Sequence, residues 1–286
     1  MKLFLALELQ GSTPRFRKFL EEAASTEADA AVLFGDLTGN AVVPIVQMSD
    51  GRRHCSLTGE RVDIADDEHL AGVKNTIEAA GDYWVCQTEE ENQQTGSDPV
   101  MLEMLFKGLA LARLHEWVTM AEEHAREHSQ RVLIAAGTGD WPFLDDVIRR
   151  SELLELCDDR VVAIDGHELV ASSLGPPTEW GAPREVSEKE LCARLRAVCA
   201  QVKHPDQAVL CWPHDCRAAG KVMRGFKPLL LVHRSSASPL GGSQRSGGSL
   251  SLDPGPQNSE YADTTLRAMI VGLGDHTVQH YSFVNI

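Results

Sequence analysis

Five short segments of this 286-residue chain concentrate the side chains able to do chemistry. They are Glu8-Leu9-Gln10-Gly11, Gly35-Asp36-Leu37-Thr38-Gly39-Asn40, Gly137-Thr138-Gly139-Asp140, Trp212-Pro213-His214-Asp215 and His233-Arg234-Ser235-Ser236-Ala237. Each follows an apolar run, from LFLAL at 3–7 to PLLLV at 228–232. In open α/β sheets, functional groups gather on loops just past the carboxyl ends of strands. Carboxylates and imidazoles there serve as ligands for divalent metals and as general acids or bases. Glu8, Asp36, Asp140, His214, Asp215 and His233 are the candidates for such work. Asp36 also has a purely structural reading, as a carboxylate capping the turn after its strand.

Other patterns carry less. His124 and His128 are four apart in AEEHAREHSQ, a metal-pair spacing on a helix, but the polar stretch reads as a solvated face. Ser12, Ser172 and Ser173 sit in no Gly-x-Ser-x-Gly elbow. Gly137-Thr138-Gly139 lacks the Lys of a P-loop, and Gly272-Leu273-Gly274 reads as a turn. The seven cysteines are odd in number and contain no Cys-x-x-Cys, so they read as small buried hydrophobes and not as a disulfide framework or zinc finger. Cys211 and Cys216 flank one of the five loops.

The elements that must position these loops alternate in type. LFLALEL and AAVLF are buried strands around a helix that Thr13-Pro14 opens. Alternation of this kind implies a parallel sheet. VVPIVQMSDGRRHCSL reads as a hairpin about Asp50-Gly51, 66–80 as a helix and GDYWVCQ as a strand. EEENQQTGSD reads as a polar loop, after which Pro99 begins a long amphipathic helix to about Ser129. VLIAAG resumes the core. Then come a helix opened by Pro142, a hairpin about Asp165-Gly166, and a helix capped by Ser187 with Glu190. AVLCW, PLLLVH and three terminal segments, LSLDPG, LRAMIVGL and VQHYSFV, are further strands.

In order and spacing the five loops resemble the calcineurin-like metallophosphoesterase family, most closely its members with a Gly-Asp-Leu-Thr-Gly loop and a long helical insertion. The resemblance extends through TEWGAPRE, Asp253-Pro254-Gly255 and the closing SFV. It implies an α/β fold, a four-layer α/β/β/α sandwich of two mixed sheets. One domain, 1–286, would carry a hairpin-plus-helix insertion at 41–130 and a mobile Ser/Gly-rich loop at 234–248. In the family the loops hold two metal ions, which clamp the attacking and leaving oxygens of a phosphate ester.

Carried over position by position, Asp36 stands at the bridging carboxylate. Glu8 stands for the first Asp and Gln10 for the first His. Thr138 replaces the Asn ligand and Gly139 the catalytic His beside it. Trp212 replaces the strand-end His, and Ser235 and Ala237 the last two. Thr, Ser and Gln bind such metals weakly, Ala and Trp do not bind them, and Gly139 has no proton to give. The resemblance therefore implies a vestigial pocket with no catalytic group, cofactor or metal, and a binding or scaffold role. With no cation between them, Glu8 and Asp36 are expected to show a raised carboxyl pKa or to share a neutral donor such as Gln10. The alternative is a phosphatase or phosphodiesterase with a rewired site, one Mn, Fe or Zn ion held by Glu8, Asp36, Asp140, His214 and His233.

A net charge of −15 and a pI near 5.1 argue against nucleic acid or an anionic membrane surface as partner. No apolar stretch approaches the ~20 residues of a spanning helix, and Glu8 and Gln10 cut short the apolar start, which reads as a strand in a cytoplasmic protein. The expected partner is another protein, met through the 41–130 insertion or the 234–248 loop. Tyr83 and Trp84 are the candidate anchors on the first, Arg234 and Arg245 the cations of the second, while Trp117 reads as packing.

Overall fold

A computed structural model describes residues 1–179, 181–212, 217–234, 241–246, 248–257 and 263–286, with backbone only at 217–219. The first sheet grows from the opening strand. β1 (Lys2–Leu7) lies parallel to β2 (Ala30–Phe34), β2 to β7 (Arg131–Ala135) and β7 to β8 (Leu154–Leu156). Antiparallel β15 (Arg267–Gly274) and β16 (Thr277–Asn285) complete the other side. The second sheet runs β13 (Gly242–Ser246), β14 (Ser249–Asp253), β12 (Leu230–His233), β11 (Ala208–Trp212), β10 (His167–Ala171), β9 (Val161–Ile164). It is parallel in the middle and antiparallel at both edges.

The unbroken apolar runs follow from burial on both faces. Phe4 and Ala6 pack against α1 (Thr13–Ser25) and α4 (Pro99–His128). Leu3, Leu5 and Leu7 point the other way and meet Val209, Leu230 and Val232 of the second sheet. Leu210, Trp212 and Val170 on that sheet's far face lie under α6 (Glu188–Cys199) and α7 (Arg217–Phe226). Each fully buried large apolar side chain here contributes about 1.5–3 kcal/mol. The architecture is the expected mixed α/β class, two mixed sheets joined by a shared apolar layer with helices outside.

The insertion is larger than a hairpin and a helix. β3 (Val42–Gln47), β4 (Arg53–Leu57), β5 (Glu60–Ile64) and β6 (Tyr83–Thr88) form a third sheet in the order β5-β4-β3-β6. With α2 (Asp67–Ala80) it closes a small core of Val43, Ile45, Cys55, Ile64, Val73 and Ile77. α4 then joins the insertion to the main core. Trp117 stacks flat on Phe16 at 4.3 Å, and its Nε1–H donates to Thr13 Oγ1 at 3.0 Å.

Several sequence expectations are corrected. The polar EEENQQTGSD stretch is a helix, α3 (Glu89–Ser97), because Thr88 and Glu91 form a reciprocal capping box and Glu89 and Glu90 complement the helix dipole. Within the Ser/Gly-rich 234–248 segment, Gly242–Ser246 is strand β13, whose ladder to β14 satisfies the backbone. Residues 235–240 and 247 lie outside the described part. Gly272-Leu273-Gly274 lies inside β15 at a bulge. The six described cysteines are free, and Cys216 lies outside the described residues. No described helix is long and apolar enough to cross a membrane.

Candidate functional site

Parallel pairing of β1 and β2 in the register Leu7↔Phe34 brings the Glu8 and Asp36 loops out side by side. The first loop is tightly wound. Glu8 and Gln10 both have φ of 52°, a left-handed conformation uncommon outside Gly, and such strain concentrates at functional loops. The Glu8 N–H donates to Phe34 O at 3.0 Å and the Gln10 N–H to Asp36 O at 2.9 Å. The β7 loop closes on Asp36 from the other side. A Cβ on Gly137 would lie 2.1 Å from Asp36 Oδ1 and 2.2 Å from its backbone N, so only glycine allows this approach. The Gly139 N–H then donates to Asp36 Oδ1 at 3.0 Å. Gly139 thus serves Asp36 through its backbone.

The charge on this pair is balanced by an arginine. Glu8 is buried and forms an ion pair with Arg234, the residue after β12. Burial pushes the Glu8 carboxyl up to about 7; Arg234 opposes the rise and nearby Asp36 adds to it. Asp36 is also raised by burial, against the Gly139 N–H and the positive fields of Arg234 and Arg184. Of the two expected outcomes, a raised carboxyl pKa or a shared neutral donor, the first is the one met, with both carboxyls raised. The group facing Glu8 is a guanidinium, while Gln10 acts on Asp36 through its N–H. A charged donor is the stronger partner for a buried carboxylate.

Asp140, offered from the sequence as a ligand of a rewired metal, is fully buried and has a structural task. Its Oδ2 accepts from the Leu37 and Gly137 N–H groups at 2.9 and 2.8 Å, and its Oδ1 from the Thr38 N–H and hydroxyl at 2.9 and 2.7 Å. It ties the second loop to the third. Arg184, from TEWGAPRE, braces the same loop. Its Nε donates to Asp140 O at 2.8 Å, and its Nη atoms reach Asp145 at 2.5 Å and Asp158 at 3.3 Å. Thr138 Oγ1 donates to Ser173 O at 3.0 Å.

The two remaining described candidates, Trp212 and His233, are register partners at the ends of β11 and β12. Trp212 is buried in the layer beneath α6 and α7, and its Nε1 has no partner among the described residues. His233 Nε2 lies 2.7 Å from Ser251 Oγ, and its buried Nδ1 has no partner among the described residues. His214, Asp215, Ser235 and Ala237 lie outside the described residues. His124 does not lie on a solvated face: it is buried, its Nε2 2.6 Å from Gln130 Oε1, in a network that ends on the Ala23 and Ala28 carbonyls.

The described residues do not fit a divalent metal. All of Asp140's strong acceptor directions are taken, Glu8 faces a guanidinium, and a cation seated there would be repelled by Arg234. Among the described residues no group of three or more His, Cys, Asp or Glu side chains is arranged to hold a metal ion. Sequence reasoning assigned Arg234 to a loop and passed over Arg184 and Asp158. Arg184 had one available signal: it is the only cation in GPPTEWGAPRE.

No family description and no curated protein matches the sequence. Solved structures do. The TT1561 protein of Thermus thermophilus superimposes with a TM-score of 0.55 over 99% of this chain and 98% of its own, at 12% identity. A novel archaeal phosphodiesterase aligns over 100% of both chains at 9% identity with a TM-score of 0.38. Yfce, a phosphoesterase from E. coli, aligns over 99% of this chain and 98% of its own at 13% identity and a TM-score of 0.36. At such identities the likeness is one of architecture: the chain has the calcineurin-like metallophosphoesterase fold.

Proposed function

We propose that this chain is a non-catalytic binding protein built on the phosphoesterase fold. The observation that carries the reading is the Glu8–Arg234 ion pair beside Asp36. A fixed guanidinium supplies, within the protein, the positive charge that the resemblance assigns to metal ions. A metal ion can shed a ligand to accept a substrate oxygen and can generate a hydroxide nucleophile. A guanidinium does neither. Gly139 supplies no acid for a leaving group, and the third loop is fixed by Asp140 and Arg184.

The partner in this reading is a protein met on the insertion. Tyr83 is not an available anchor, being buried with its hydroxyl 3.0 Å from the Gly39 N–H. Trp84 is half-buried, with Lys74 over its ring and its Nε1–H on Glu78. The exposed large apolar residues of the insertion are Val100, Met101, Leu102 and Met104 in the first turns of α4. Glu89, Glu90, Glu91 and Glu103 are exposed on the same part of the insertion. That combination fits a partner segment with apolar residues flanked by Lys or Arg.

The deciding experiment is hydrolysis of p-nitrophenyl phosphate and its bis-ester by the intact chain with Mn²⁺, Ni²⁺ or Zn²⁺ supplied. No turnover above that of Asp36→Ala is expected. Turnover that Asp36→Ala abolishes would overturn the reading and establish a metal-dependent phosphoesterase with a rewired site.

A further inference from the structure

The charge of the chain is unevenly spread. Between Arg217 and Leu252 there are six Arg and Lys and no Asp or Glu, in a protein whose net charge is −15. This cationic stretch comprises α7, β12, β13 and most of β14, the open edge of the second sheet. The vestigial pocket uses one of the six, Arg234. The others are not explained by it.

Packing on the outer face of this sheet changes character at the same place. Over β10, β11 and β12 the face is apolar, with Val170, Leu210, Trp212 and Leu231 against Val222, Met223 and Phe226 of α7. A helix laid on a sheet needs that apolar contact. Beyond β12 the face becomes polar. Gln244 pairs with Ser251 and Ser246 with Ser249, and paired residues of antiparallel strands share a face. Ser251 also pairs with Leu231, which fixes this face as the one turned toward α7. The helix does not fill the space over these side chains. A cleft of about 400 Å³ remains, walled by Arg224 and Lys227 on one side and by Gln244, Ser246, Ser249 and Ser251 on the other. Met223 and Leu231 form its apolar floor.

We propose that this cleft binds a small phosphorylated organic molecule, a phosphomonoester of sugar-phosphate to nucleoside-monophosphate size. Its volume is in the range of small-molecule sites, at the smaller end. Neither the Arg224 guanidinium nor the Lys227 ammonium has an ion-pair or hydrogen-bond partner among the described residues, so both cations are free to meet an anion. An Arg fork beside a Lys point charge is a common phosphate pairing. Ser251 Oγ is engaged by His233 Nε2 at 2.7 Å, but the donors available from Arg224, Lys227, the Ser246 and Ser249 hydroxyls and the Gln244 amide still exceed what one carboxylate accepts, and they suit the three terminal oxygens of a phosphate. Met223 and Leu231 offer the organic portion an apolar contact. The cleft lies on the face of the second sheet turned away from the first, among residues distinct from Glu8 and Asp36. The proposal does not depend on whether the vestigial pocket is catalytic.

Isothermal titration of the intact chain tests it, with ribose 5-phosphate, AMP, inorganic phosphate, citrate and a polyglutamate peptide as probes. The expected result is saturable binding of a phosphomonoester, at least roughly tenfold tighter than inorganic phosphate or citrate, and weakened roughly tenfold or more in Arg224→Gln/Lys227→Asn. Both positions are exposed, and Asn tolerates the left-handed φ of 53° at Lys227, so the double variant is expected to melt as the parent does. Arg224→Lys, which keeps the charge and loses the fork, is expected to bind at an intermediate level. Four results would overturn the proposal: no binding of either phosphomonoester, binding unchanged in the double variant, inorganic phosphate binding as tightly as the esters, or polyglutamate binding in their place.

Discussion

Glu8 is a carboxylate that the fold holds between two opposing demands. Burial favours its neutral form and Arg234 its ionised form, and burial dominates, raising it from an ordinary 4.5 to about 7. Between these values the folded chain binds more protons than the unfolded one, so stability falls as pH rises from about 4.5 through 7. Asp158, pushed by burial to about 6, adds to the same trend. Denaturant midpoints are therefore expected to decrease from pH 5 to pH 8. Glu8→Gln is expected to flatten that decrease by about one proton, since it keeps the shape and removes the titration. An unchanged slope in the variant would show that Glu8 is ionised throughout. Arg184 is the opposite case, a buried cation with two buried carboxylates, its own side chain 6% exposed against 8% for Asp145 and 9% for Asp158. Removing one partner of such a set leaves uncompensated charge. Arg184→Met is expected to lose about 3–5 kcal/mol in urea unfolding, much more than an exposed pair such as Arg194–Glu190 would lose.

At the scale of elements, two helices of the insertion behave differently. α4 holds to the main core through Trp117 stacked on Phe16. Trp117→Ala removes the ring and leaves a cavity at the junction, and about 3–5 kcal/mol of stability is expected to go with it by chemical denaturation. α3 has little apolar face, with Thr95 its only buried residue, and rests on its N-cap. Thr88→Ala is expected to cost about 1 kcal/mol and to raise hydrogen exchange over 89–97 while leaving β1 and β2 protected. The long helix was legible in the sequence because its apolar residues recur at helical spacing. α3 was not, because a helix held by caps and charge shows no such period. α7 escaped for another reason: it carries the glycines Gly220 and Gly225, and its apolar residues acquire meaning only against Leu231.

At the scale of the whole molecule, the net charge of −15 and the cationic stretch at 217–252 oppose each other in any encounter with a polyanion. The long-range field follows the net charge, and the cleft by α7 is too confined to track a nucleic-acid backbone. Neither retardation of duplex DNA nor binding to anionic vesicles is expected at about 0.15 M ionic strength. Gel-shift and vesicle co-sedimentation assays check this, and retention by either polyanion would place the cationic edge in a different role.

The sequence by itself determined the strands of the core, the order in which they alternate with helices, and the positions of five loops. These are local or periodic properties: doubly buried strands are continuously apolar, Pro opens helices, and Asp-Gly turns hairpins. Through the family resemblance it also implied that Thr138, Gly139 and Trp212 replace residues of a metal site. Only the tertiary structure decided which charges meet. Glu8 and Arg234 are 226 positions apart, and Arg184 reaches Asp145 across 39 and Asp158 across 26. No period or spacing encodes such pairs, because they form only when separate strands place their ends together. The free cations of Arg224 and Lys227 over a serine face were hidden for the same reason: a solvated charge and a charge lining a cleft read alike until the sheet beneath is known.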